Sequence, residues 1–107
     1  MAIEVYRIDD RLIHGQVVVG WAQPLELEFI VLVDDEVAAS AWEQDLYRMG
    51  VPCEMRVFFE SVESALTRLP EYQQMTQPGL LLTGDTETMR ALVERGAAIP
   101  RVNIGGV

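Results

Sequence analysis

The sequence predicts an α/β fold, a three-layer open sheet of about five mainly parallel strands with helices on both faces. Three observations predict it. Apolar periodicity alternates between strand and helix signatures from one end of the chain to the other. The strand-like segments are separated by helix-length segments, the spacing of βαβ units joined by crossovers. Phe29-Ile30-Val31-Leu32-Val33 is a continuous apolar run of strand length, as expected for a strand buried on both faces.

Each element follows from local chemistry. Ile3 to Ile8 is rich in β-branched and aromatic residues and reads as an interior strand. After the loop Asp9-Asp10-Arg11-Leu12-Ile13-His14, the run Gly15 to Ala22 reads as a short helix stopped before Pro24. Beyond Phe29–Val33, Asp34 or Asp35 is placed to cap a helix beginning near Val37. Ala38, Ala41, Trp42, Leu46 and Met49 lie at helical spacing with Gly50 as the stop, and Trp42, like Trp21, is expected to pack into the core. Cys53, Met55, Val57 and Phe59 alternate at strand period, with Cys53 as an inert core thiol and the methionines, Met49 among them, as core filler. Ser61 is the N-cap of a helix through Leu69 that Pro70 ends, and Pro70 to Gly79 reads as a loop. Leu80-Leu81-Leu82 is a fourth strand. Asp85 or Thr86 caps a helix carrying Met89, Leu92 and Val93, and Arg101 to Ile104 is the fifth strand.

Composition narrows the function. The 107 residues are one domain's worth, residues 1–107, with 50% hydrophobic and 23% charged residues. Seventeen Asp and Glu against 8 cations, all of them Arg, leave a net charge of −9, which disfavours nucleic acid and anionic lipid as partners. One cysteine and one histidine can form neither an intrachain disulfide nor a Cys/His zinc cage. No apolar run approaches the roughly 20 residues of a membrane span, and no basic segment followed by an apolar stretch marks a signal peptide. These features predict a soluble cytoplasmic protein.

In open α/β sheets ligands bind at the carboxyl ends of the strands. That rule directs attention to Asp9–His14, Asp34–Glu36, Phe59–Ser61, Thr83–Asp85 and Gly105–Gly106. The acidic run Asp34-Asp35-Glu36 looks like the opening of a response-regulator receiver domain. It follows the second strand rather than the first, however, and the chain has no lysine, so that reading is rejected. The segment Arg7-Ile8-Asp9-Asp10-Arg11-Leu12-Ile13-His14-Gly15-Gln16-Val17 is different, because it gathers two Arg, three of the carboxylate and amide side chains and the single imidazole between a strand and a helix start. A neutral imidazole is a competent nucleophile near pH 7, and a guanidinium forks onto the oxygens of a transferring phosphoryl group. Free N–H groups at a helix start add positive potential, and a carboxylate can fix the imidazole tautomer. This is a phosphoryl site in outline. No metal or other cofactor is required, because Arg and backbone N–H groups can meet the charge.

The same string closely resembles the signature of the IIB component of the mannose/fructose/sorbose family of the bacterial sugar phosphotransferase system. Val33-Asp34-Asp35-Glu36-Val37-Ala38 and Arg101-Val102-Asn103-Ile104-Gly105-Gly106 are similar to two further segments of that family. The resemblance implies a phosphocarrier: a IIA partner carries a phosphohistidine, His14 takes the phosphoryl group through Nδ1, and the group passes to a sugar entering through a membrane IIC/IID complex. On that reading His14, Arg11 and Asp9 are catalytic, and Arg11, Gly15 and Gln16 bind phosphate. Asp10, Asp35, Thr83, Gly105 and Gly106 stand behind them. Arg7 is expected at the strand edge in a surface pair. The resemblance also implies peripheral association with the permease and allows a homo-oligomer.

Family domains continue past Gly105-Gly106-Val107 into further helices and strands, so the chain resembles their N-terminal two thirds and is expected to be truncated at its C-terminus. A second reading follows, a shortened non-catalytic IIB-like module that senses the phosphorylation state of a partner.

Overall fold

The computed structural model describes residues 3–9, 26–51 and 55–105. The expected helix Gly15–Ala22, Trp21 and Cys53 lie outside them. Strands β1 (Ile3–Asp9), β2 (Phe29–Val33), β3 (Arg56–Glu60), β4 (Gly79–Thr83) and β5 (Asn103–Gly105) form one sheet in the order β3-β2-β4-β1-β5, and every pairing is parallel. The predicted parallel α/β sheet with helices on both faces is therefore present, and β1 is interior, hydrogen-bonded to β4 on one side and β5 on the other.

The helices are α1 (Asp35–Ala38), α2 (Ala41–Arg48), α3 (Val62–Gln73) and α4 (Thr86–Glu94). One apolar layer joins Tyr6, Ile8, Val31, Val33 and Leu81 of the sheet to Ala65, Leu69 and Tyr72 of α3 and to Met89 and Leu92 of α4. The other face sets Val5, Ile30, Leu32, Leu80 and Leu82 against Val37 of α1, with Tyr47 of α2 and Val51 packed beside them. This division follows from handedness: β3→β4 and β4→β5 travel one way across the sheet, β2→β3 the other, and right-handed crossovers place oppositely directed connections on opposite faces. Ile3 joins the layer of Tyr6 and Ile8 because the β1–β4 register shifts between Ile3 and Val5.

Local capping chemistry holds where it was expected. Asp34 caps α1, its Oδ1 accepting from the N–H groups of Glu36 and Val37 at 2.9 and 3.0 Å. Ser61 and Ser64 form a reciprocal capping box on α3, and Asp85 Oδ1 accepts from Thr88 N at 2.7 Å. α4 ends in a Schellman turn, with Ala97 N–H donating to Leu92 O and Gly96 N–H to Val93 O. Gly96 supplies the positive φ of 104° that this turn requires.

Three expectations fail. The segment from Ala38 to Met49 is two helices, because Gln44 Nε2 donates to Val37 O and Ala38 O at 3.1 Å each and so satisfies the carbonyls a continuous helix would have used. Trp42 on α2 and Met49 at its C-cap are not core residues: they are 70% and 81% exposed, and the half-buried side of α2 is formed by Glu43, Gln44 and Tyr47. Pro70 does not end α3, which continues to Gln73 because the buried stripe Ala65, Leu69, Tyr72 extends past the proline.

Candidate functional site

All five strands are parallel, so their carboxyl ends share one edge of the sheet. Register brings Glu60, Val33, Thr83, Ile8 and Ile104 to one level across it. Asp9 lies one residue beyond that row, opposite Gly105. The structure thus brings together three of the residues singled out from the sequence, Asp9, Thr83 and Gly105. Arg11, His14, Gly15, Gln16, Asp10 and Gly106 lie outside the described residues.

Asp9 is fully buried, and its Oδ2 faces the guanidinium of Arg7, with Nη2 at 3.2 Å and Nε at 3.3 Å. Residues two apart in a strand share a face, so the strand geometry itself aligns the pair. This corrects the placement of Arg7. It is 7% exposed inside an interior strand, not at a surface edge. A charge so far from water requires a counter-ion, and Asp9 supplies one. The pair places an anchored carboxylate at the last residue of β1, where the chain leaves for the segment that contains the histidine.

Thr83 is fully buried at the end of β4 and its Oγ1 donates to Asp85 O at 3.2 Å, which fixes the turn into α4. Asp35 is directed elsewhere: its Oδ1 accepts from Val62 N at 2.8 Å and ties the β2 end to the first turn of α3. β4 stands between β2, which leads into Asp35, and β1, which carries Asp9.

Sequence reasoning pointed to Phe59–Ser61 but gave Glu60 no role. It is 4% exposed at the end of β3, receives a hydrogen bond from the Tyr72 hydroxyl, a second from Ser64 Oγ at 2.7 Å, and an ion pair from Arg68 Nη1 at 2.9 Å. A signal was available, because Glu60, Ser64, Arg68 and Tyr72 are spaced four apart, the interval that lines residues along one face of a helix. Burial, and then the hydrogen bond to Glu60, raise the Tyr72 hydroxyl well above its ordinary value. Burial, reinforced by Glu43, Asp34 and Glu36, also raises the Tyr47 hydroxyl. Among the described residues no cluster of three or more His, Cys, Asp or Glu could hold a metal ion, and no helix is long and apolar enough to cross a membrane.

Comparison with known proteins bears on the whole chain. Residues 3–107 match the family model for the phosphotransferase-system sorbose subfamily IIB component. The sorbose-specific EIIB component of Klebsiella pneumoniae is 34% identical over the full chain, which spans 65% of that protein. The mannose-specific EIIAB component of Escherichia coli K12 is 37% identical, again over the full chain but only 33% of its own length. The solved IIB domain of the Klebsiella pneumoniae sorbose permease superposes with a TM-score of 0.84 at 33% identity, covering all of this chain and 66% of that one. The chain therefore spans less than two thirds of the length of the first two relatives. With the parallel sheet, the placement of Asp9 at its carboxyl edge and the family match in agreement, the chain belongs to the sorbose subfamily of phosphotransferase-system IIB components.

Proposed function

We propose that the chain is a cytoplasmic phosphocarrier that accepts a phosphoryl group on His14 from the phosphohistidine of a IIA protein and passes it to a sugar entering through a membrane IIC/IID complex. The observation that carries this reading is the anchored Arg7–Asp9 pair at the end of β1, five residues before the single histidine, in a member of the IIB family. The donor's N–P bond breaks as the His14 Nδ1 lone pair forms a new one, and the freed donor imidazole leaves neutral. In the second transfer a sugar hydroxyl forms the O–P bond, the N–P bond breaks, and the hydroxyl proton leaves to the imidazole or to solvent.

Roles follow from chemistry. Arg11 meets the equatorial oxygens, where charge spreads in a loose transition state. Asp9 orients the imidazole or Arg11, and Gly15 and Gln16 offer N–H donors to phosphate. Asp10, Thr83, Gly105 and Gly106 support that edge, with Asp35 holding the neighbouring turn. Peripheral association with the permease belongs to the same reading.

The test is incubation with phosphorylated IIA followed by acid-labile phosphate analysis. Wild-type chain takes label, and His14→Gln takes none while its circular dichroism spectrum is unchanged. Label on His14→Gln overturns the assignment of the acceptor. A wild-type chain that binds phosphorylated IIA but takes no label is a sensing module rather than a carrier.

A further inference from the structure

Trp42 and Leu46 of α2 and Met49 at its C-cap stand at i, i+4 and i+7 and are 70%, 56% and 81% exposed. They form one outward stripe about 10 Å long at the helical rise of ~1.5 Å per residue. The fold makes no use of it: no residue of α2 is buried, and the sheet is met by Tyr47 from the opposite side of the helix. Trp and Met are residue types enriched in the cores of protein interfaces.

The surroundings of the stripe are acidic. Glu43 and Asp45 flank it on the helix, and Arg48, the cation on α2, is held by Asp45 at 3.3 Å and lies over the Phe59 ring at 5.0 Å. The chain as a whole carries −9. A second copy would bring the same acidic rim and the same net charge, and an anionic lipid surface would repel both. The complementary occupant is a protein surface with an apolar seat and a Lys/Arg rim. Cytoplasmic loops of membrane proteins are enriched in Lys and Arg, and aromatic side chains at their interfacial belts provide apolar contact.

We propose that the outer stripe of α2, Trp42-Leu46-Met49 with its acidic rim, is the surface by which this chain docks on the cytoplasmic face of the membrane permease. The inference rests on the phosphocarrier reading, which supplies a permease as partner. Net negative charge steers the chain to the basic loops, and the apolar stripe holds it there.

The experiment is co-sedimentation with inverted membrane vesicles carrying the IIC/IID permease, against vesicles of the same lipid without it. Wild-type chain sediments only with permease vesicles, and raised salt weakens binding. Leu46→Glu and, separately, Met49→Glu weaken it by about tenfold or more, as does the charge reversal Asp45→Lys. Each variant keeps the wild-type circular dichroism spectrum and takes label from phosphorylated IIA at the wild-type rate. Equal binding by wild type and all three variants overturns the proposal. So does equal sedimentation with plain lipid, or a wild-type dimer that Leu46→Glu dissociates. If IIA labels the chain but permease vesicles do not retain it, the docking surface fails alone. If IIA does not label wild-type chain, the phosphocarrier reading fails, and stripe-dependent sedimentation still decides the surface.

Discussion

Arg7 carries a guanidinium into a strand that is paired on both sides, where its ion pair with Asp9 offsets part of the cost of burying the charge. Removing one partner takes from the other, still buried, the opposite charge 3.2 Å away. Arg7→Met is expected to cost about 3–5 kcal/mol in urea unfolding, a large part of a stability of roughly 5–15 kcal/mol. Arg7→Met with Asp9→Leu should recover most of that loss, because both charges are then gone, yet should remain unable to take label from IIA. A double variant as unstable as the single one would show that the pair is not the source of the cost. Tyr72 gives a pH signature. Its hydroxyl is held protonated in the folded state, so the unfolded chain loses that proton first, near the ordinary tyrosine value of about 10. Stability is fully present below that pH and falls as pH rises through and beyond it. Tyr72→Phe should make this alkaline loss shallower, with Tyr47 accounting for part of what remains; an unchanged slope in a pH series of urea melts would refute the assignment. Asp9 could be chosen from its sequence neighbourhood, but the burial of Arg7 could not. Ile3 to Ile8 was read as an interior strand, yet a charged residue within it still reads as exposed until the residues that cover it, 79–83 and 103–105 among them, are placed in space.

At the scale of elements, what could be read from the sequence was what local chemistry decides. The caps Asp34, Ser61 and Asp85 act within three residues of themselves, and so their helix starts were predictable. The break between α1 and α2 was not, because Gln44 must fold back seven residues to hold Val37 O. The continuation of α3 through Pro70 was hidden for a similar reason. An interior proline costs about 3 kcal/mol in an isolated helix, but here it precedes Tyr72, whose burial and hydrogen bond to Glu60 lie in tertiary structure. β4 has its own constraint at Gly79. A Cβ there would overlap the ring of Phe29, which is buried, meets Phe58 edge-on and stacks with Tyr72. Gly79→Ala should therefore destabilise the protein by about 1–3 kcal/mol through overpacking. A wild-type urea midpoint in that variant would mean the ring moves aside freely.

For the molecule as a whole, the alternation of strands and helices was legible from apolar periodicity, whereas the order β3-β2-β4-β1-β5 was not. Nothing in a strand's own residues names its neighbour; the direction of each crossover does, and several orders share one periodicity. That order has a consequence in time. β2 and β3 are adjacent in sequence and can pair as soon as residue 60 exists, but β1 bonds only to β4 and β5, whose residues follow it by more than seventy positions. Loop closure over such a span is slow compared with local pairing. Pulsed hydrogen exchange during refolding should protect the amides of β2 and β3 before those of β1, and simultaneous protection would argue against this sequence of events. During synthesis the first of these strands to leave the ribosome is the last to be seated, so Asp9 meets Gly105 only once residue 105 exists. A nascent chain interrupted before β4 holds the histidine but neither of the strands that seat Asp9, so the proposed phosphoryl transfer becomes a report that residues 79–105 have been made.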